Sequence, residues 1–211
     1  MARPPHTPAP TPAPPHRITM TPGAHRVLEA ASRLFYDHGI HAVGVDLIAA
    51  EAGVTKKTLY DRFGSKEQLV VEYLAARDER WRDVLAEHLA EAGASPEDRI
   101  LAVFDASRDW SAQNGPRGCS MVNAHAEIDD PRHPARAVIT GQKAWMLGLF
   151  TDLVRAAAPD DAEALGRSLM LLHEGALVAY GLDVFPDPFG AAREQARSLC
   201  DAAAVSRVRG R

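Results

Sequence analysis

Apolar positions recur at helical spacing along most of this 211-residue chain, and capping residues, glycines and prolines divide the pattern into segments. Thr21-Pro22 pairs an N-cap with a proline at the first helical position, and Val27, Ala31, Leu34 and Phe35 then repeat until Gly39. A short helix follows with Ile48 and Ala49 inward. Gly53 permits a tight reversal, Val54 plugs the corner, and a third helix offers Leu59 and Phe63, four residues apart on one face. From Ser65-Lys66-Glu67 a long amphipathic helix is expected to about Ala92, its stripe running from Leu69 through Tyr73, Leu74, Trp81 and Leu85 to Leu89. Ser95-Pro96-Glu97-Asp98 opens another, through Ile100, Leu101, Phe104, Ser107 and Trp110. After the Asn114 to Gly118 turn cluster come a short segment from Cys119 to about Ile128 and a longer helix from about Pro134 to Ala158. The next helix should bury Leu165, Leu169, Leu172, Ala176 and Tyr180, and the final one, after Pro188, presents Ala192, Ala196, Leu199 and Ala203.

Clean Val/Ile/Thr alternation is absent, so the expectation is an all-α protein of about nine helices. With 46% hydrophobic residues, a chain of this size buries about 70% of its unfolded surface. Residues 1–17 are low-complexity Pro/Ala/Thr and read as a disordered tail, in which Arg3 and Arg17 are candidate phosphate contacts. Residues 18–66 read as a three-helix helix-turn-helix DNA-binding domain, and residues 67–211 as a second helical domain.

Charge sharpens that division. The formal net charge is -4, yet Lys56, Lys57, Arg62 and Lys66 face a single acid, Asp61, between positions 56 and 66. A local basic face on an acidic body suits a protein that reads DNA rather than one that coats it. In a helix-turn-helix the N-terminus of the second helix enters the major groove, which places Thr55 and Lys56 there, with Lys57 and Thr58 at the base edges. Tyr60 and Lys66 suit phosphate, and Arg62 adds to the basic face. Cys119 and Cys200 are too few for a disulfide framework or a cysteine metal cage, and no apolar run is long enough to span a bilayer. A reducing cytoplasm and no membrane partner are expected.

Leu34-Phe35, Gly39, Ile48-Ala49, Ala52-Gly53-Val54, Thr58-Leu59-Tyr60 and Phe63-Gly64-Ser65-Lys66 stand at spacings that resemble the TetR family of regulators, over roughly residues 22 to 75. Beyond that stretch the likeness is confined to helix number and length and a Gly118-Cys119 pair. The resemblance implies a double-stranded DNA operator and a homodimer in which the last two helices form a four-helix interface with their twins. Ala176, Ala179, Ala192, Ala196 and Ala203 leave room for such packing, or for packing within the chain. Three departures mark this reader as a variant. Gly44 stands where the family often has a Thr or Ser cap, and Lys57 where many members carry Gly; Arg62 also replaces a frequent His.

The resemblance further implies a pocket for an unknown small-molecule effector in the C-terminal domain, with no cofactor. Polar or adaptable residues among its apolar helices nominate Trp110, Met121, His125, Trp145, Met146, His173 and Tyr180. His125, Glu127, His133, His173 and Glu174 show no i, i+4 histidine pair, so no metal site is expected. Cys119 admits two readings, an isolated small hydrophobe or a redox-responsive thiol. The leading reading is a repressor released by its ligand, with an activator or a ligand-independent regulator as the nearest variants. A helical enzyme with an accessory DNA-binding domain is less favoured, because phosphate loops, nucleophile elbows and paired zinc histidines are missing from the sequence.

Overall fold

The computed structural model describes residues 15–209, with side chains as far as residue 203; Arg3 and most of the Pro-rich tail lie outside the described residues. The helices are α1 (Pro22–His38), α2 (Val45–Glu51), α3 (Lys56–Phe63), α4 (Lys66–Glu91), α5 (Pro96–Asn114), α6 (Ser120–Glu127), α7 (Ala135–Arg155), α8 (Ala162–Gly181) and α9 (Pro188–Arg209). A 3-10 turn, Pro159–Asp161, separates α7 from α8, and no strand occurs among the described residues. The all-α reading holds.

Capping explains the starts. The hydroxyls of Thr21, Ser65 and Ser95 accept from the amides of Ala24, Gln68 and Asp98, each satisfying one donor that the helix itself leaves orphaned. Gly39, at φ 90°, ends α1 in a conformation that costs glycine nothing, its amide bonded to Phe35 O at 3.0 Å.

Two hydrophobic clusters fill the molecule. The first joins α1, α2, α3 and the Leu69–Leu74 part of α4 to Met121, Ala124 and Ile128 of the α6 region and to Ala135 and Ile139 of α7. The second packs Trp81 and Leu85 of α4 against α5, the rest of α7, α8 and α9. Cys119 touches both. At 26 residues, roughly 39 Å, α4 runs through the two clusters and joins them. A division at residue 66 therefore cuts through one core, which α6 completes from the far side.

One expectation needs correction, and one open choice is narrowed. Arg17 is not free for phosphate: its Nε lies 2.7 Å from Oε2 of the fully buried Glu72, and its Nη1 lies 2.6 Å from Glu79. The same Glu72 accepts from Ile18 N and Gln68 Nε2, at 2.8 and 3.0 Å, so the segment before α1 is pinned to α4. Of the alanines considered for a subunit interface, Ala176, Ala192 and Ala196 are buried inside this chain. There α9 lies on α5 and α8, held by Arg193 to Asp105 at 2.9 Å, and small side chains let the backbones close up.

Candidate nucleic-acid interface and buried cavity

The reading head is built on the α2–α3 corner. Ile48, Ala49, Leu59 and Phe63 are buried, Gly53 turns the chain at φ 63°, and Val54 N reaches back to Ala49 O at 3.0 Å. Burying these four sets the opposite face of α3 in solvent. Thr55 caps α3, its hydroxyl accepting from Thr58 N at 3.1 Å and meeting Thr58 Oγ1 at 2.9 Å. Lys56, Lys57, Tyr60 and Arg62 are exposed around it, and Gly44, also exposed, begins α2 without a side-chain cap. All eight residues expected at DNA lie on or beside this one corner.

Two of the lysines are held by acids. Lys56 Nζ is 3.0 Å from Asp46 and Lys57 Nζ 3.0 Å from Asp61, and the hydrogen bond and charge of Asp46 raise the Lys56 pKa. Exposed pairs of this kind contribute little to stability, so a phosphate can displace either carboxylate at little cost. Lys66 is different. Its ammonium sits 5.9 Å from the Phe35 ring centroid, and partial burial lowers its pKa against the opposing pull of Glu127 and Glu67. Leu47 went unnoticed in the sequence: it is 48% exposed on α2, beside the buried Ile48 and Ala49. An apolar residue on the wrong side of a helical stripe was the available signal.

The second candidate site is a cavity of about 50 Å³ where α4, α5, α6, α7 and α8 converge. Trp110, Met121 and His173 line it, as expected. Of the other nominees, His125 is exposed on α6, and Trp145, Met146 and Tyr180 do not line it. Trp145 is covered by the Arg82 guanidinium at 3.8 Å, Met146 packs in the second cluster with its sulfur 3.4 Å from Trp81 Nε1, and Tyr180 donates to Ser111 O at 3.2 Å. In their place stand Arg77, Asp78, Trp81, Ser107, Gln142 and Lys143. Most of these are polar residues on amphipathic helices, which in sequence read as solvated.

Charge inside the cavity is organised in pairs. Asp78 Oδ2 takes both Nε and Nη2 of Arg82, at 3.0 and 2.9 Å, although burial still raises the Asp78 pKa. Lys143 Nζ contacts both oxygens of Glu174, at 2.8 and 2.9 Å, and Cys119 Sγ at 3.3 Å. Burial opposes that ammonium, but Cys119 and Glu174 outweigh it and raise its pKa. Burial likewise opposes the Glu174 carboxylate, but His173 and Lys143 prevail and bring its pKa down to about 2. Burial lowers the pKa of His173, which stays neutral, and that of Arg77, whose guanidinium lies 4.3 Å over the Tyr36 ring and 5.3 Å from Trp110.

Cavity and reading head are joined by residues 115–128. Tyr36 of α1 donates to Gly115 O and accepts from Arg117 N, both at 2.9 Å, and the Arg117 guanidinium caps Asp37 O. At the other end of α6, Glu127 accepts from His41 N at 2.8 Å, in the loop between α1 and α2. Met121, between these anchors, belongs to the head's core and lines the cavity.

Comparison with known proteins agrees in both halves. Residues 27–73 match the bacterial regulatory proteins of the tetR family, and residues 96–196 match the tetracyclin repressor-like C-terminal domain. The chain is 27% identical to the HTH-type transcriptional regulator BetI of Agrobacterium fabrum over 173 residues, covering 81% of this chain and 82% of that protein. It is 32% identical to the transcriptional activator FasR of Mycolicibacterium smegmatis over 117 residues, covering 54% of this chain and 51% of that one. The crystal structure of a TetR-family regulator from Streptomyces coelicolor superposes with a TM-score of 0.75 at 34% identity, covering 86% of this chain and 93% of the other. The chain belongs to the TetR family of helix-turn-helix transcriptional regulators.

Proposed function

We propose that this regulator is a homodimeric repressor that leaves a near-palindromic operator when a small molecule occupies the cavity between α4 and α8. In this reading Thr55, Lys56, Lys57 and Thr58 meet base edges, Tyr60, Arg62 and Lys66 meet phosphate, and the uncapped amides at the start of α2, beside Gly44, donate to a further phosphate. The observation that carries it is the double membership of Met121, at once a wall of the cavity and part of the reading head's core. Occupancy that moves α6 then moves α1 through Tyr36 and the α1–α2 loop through Glu127. Coupling of this kind is typically about 1–3 kcal/mol.

Dimerisation is assigned to the outer face of α8 rather than to the small residues of α9. Leu171, Val178 and Leu182 recur along that face at 74, 48 and 70% exposure, and Val184 and Phe185 extend it into the following loop. A second copy of the chain is the occupant such a face suits, because a two-fold axis turns one apolar stripe into its own complement.

The test is selection of bound sequences from random DNA with the full chain, then a screen of metabolites for release from the best one. A palindromic consensus and at least one releasing compound are expected. Loss of the consensus on substituting Lys57 is expected too, whereas substituting Lys66 should weaken all sequences alike. Absence of any preferred sequence would overturn the proposal. Activation remains the second reading, favoured by the relative named as an activator, and is told apart by whether transcription rises or falls when the gene is deleted.

A further inference from the structure

We infer that the cavity is shaped for an uncharged, compact ligand that brings two O–H or N–H donors to two waiting acceptors, Asp78 Oδ1 and Gln142 Oε1. This rests on the effector reading above and names the chemistry of the effector. Among the described residues three buried side-chain polar atoms have no hydrogen-bond partner, these two and His173 Nδ1, and all three residues line the same cavity. Unpartnered buried acceptors are costly and rare in folded proteins. Two on the wall of one space is the arrangement of a site that receives donors.

The role of each atom follows from its neighbours. Ser107 Oγ lies 2.8 Å from Val103 O and 2.8 Å from His173 Nε2. His173 is held by Ser107 on one side, and its Nδ1 faces the Glu174 carboxylate at 3.6 Å on the other, so it shapes the wall and is not counted as an acceptor for the ligand. Asp78 spends Oδ2 on Arg82 and leaves Oδ1 bare. Gln142 is 7% exposed and adds its amide oxygen from α7.

Charge then narrows the ligand. Arg82 answers Asp78, and Glu174 answers Lys143, which leaves the Arg77 guanidinium without a carboxylate among its contacts here. A cation meets that uncancelled positive charge, and an anion meets two acceptor atoms, one of them on a carboxylate. A neutral molecule avoids both penalties. At roughly 10–15 Å³ per water, the cavity holds only a few waters' worth of matter, and Trp81 and Trp110 flank it.

The experiment compares urea, acetamide and acetone, planar uncharged probes of nearly equal size with two, one and no amino groups, by protein-observed NMR of the tryptophan indole signals on the full-length protein. Guanidinium and acetate supply the two charges at the same size. Affinity is expected to fall about three- to tenfold with each amino group removed. Gln142→Met should bring urea down to the level of acetamide and leave acetone unchanged; Asp78→Ala provides a second variant, with circular dichroism confirming the fold of each. Equal or tighter binding of acetone, preference for acetate or guanidinium, or no binding of any probe, with the acceptors answered by water, would overturn the inference. Release from the operator by a charged metabolite would sink this inference and leave the regulatory reading standing. Failure to select any operator would sink the regulatory reading even where urea binds.

Discussion

Glu72 has no exposed surface, yet it carries a charge into the middle of the N-terminal bundle. It is tolerable there because Arg17, Ile18 N and Gln68 supply donors to both oxygens. Replacing Arg17 with Ala removes the countercharge that the described residues supply while the burial remains. The expected loss is about 2 kcal/mol, below the roughly 3–5 for a fully enclosed pair, since Arg17 is partly exposed. Urea unfolding at fixed protein concentration measures it, and an unchanged midpoint would mean that Glu72 finds its stability elsewhere. Glu174 allows a prediction in pH. Its pKa falls from 4.5 unfolded to about 2 folded, so its contribution is complete above pH 4.5 and drains away as pH drops toward 2. The stability gap between the wild type and Glu174→Gln should be widest near neutrality, up to about 3 kcal/mol, and narrow steadily in acid. Unfolding curves from neutral pH down to about 3 test the sign; a gap that widens in acid would show that the carboxylate is destabilising.

At the scale of elements, α3 is only eight residues long and depends on its first turn. Thr55→Ala removes the cap that receives Thr58 N, costing about 1 kcal/mol of stability, and it loosens the turn that faces DNA. Operator affinity should fall more than global stability does, which gel shifts and thermal melts together would reveal; equal losses would make the cap purely structural. The same element shows why so much of the head was readable. Caps, Gly39, Gly53 and the Leu59/Phe63 spacing act within a few residues of themselves, so local chemistry decides them. The cavity was harder because its polar lining acts across the fold. Asp78, Gln142 and Lys143 occupy helical positions that look solvated until α5, α6 and α8 close over them. Alanine left a choice open for a related reason: a small residue signals close approach without saying to what, and Ala192 and Ala196 meet α5 and α8 of their own chain.

For the whole molecule, the exposed stripe on α8 and the basic corner of α3 make one linked prediction, because two reading heads held at a fixed spacing engage an operator together. If a dimer neutralises six to eight phosphates, log K should fall by about 5–7 for each decade of salt. Leu171→Glu with Leu182→Glu places like charges on both sides of the proposed two-fold interface while leaving the chain's own core untouched, since these side chains are 74 and 70% exposed. Light scattering should then report a monomer with unchanged helicity. Its DNA binding should be weaker, and its salt slope should drop to about 3, because half the phosphate contacts go with the missing partner. The slope is the more incisive readout. A variant that weakens binding through the fold loses affinity at every salt concentration with the slope intact, whereas loss of a subunit halves the slope. A dimer that survives both substitutions would move the interface away from α8, and the apolar face would then need another partner.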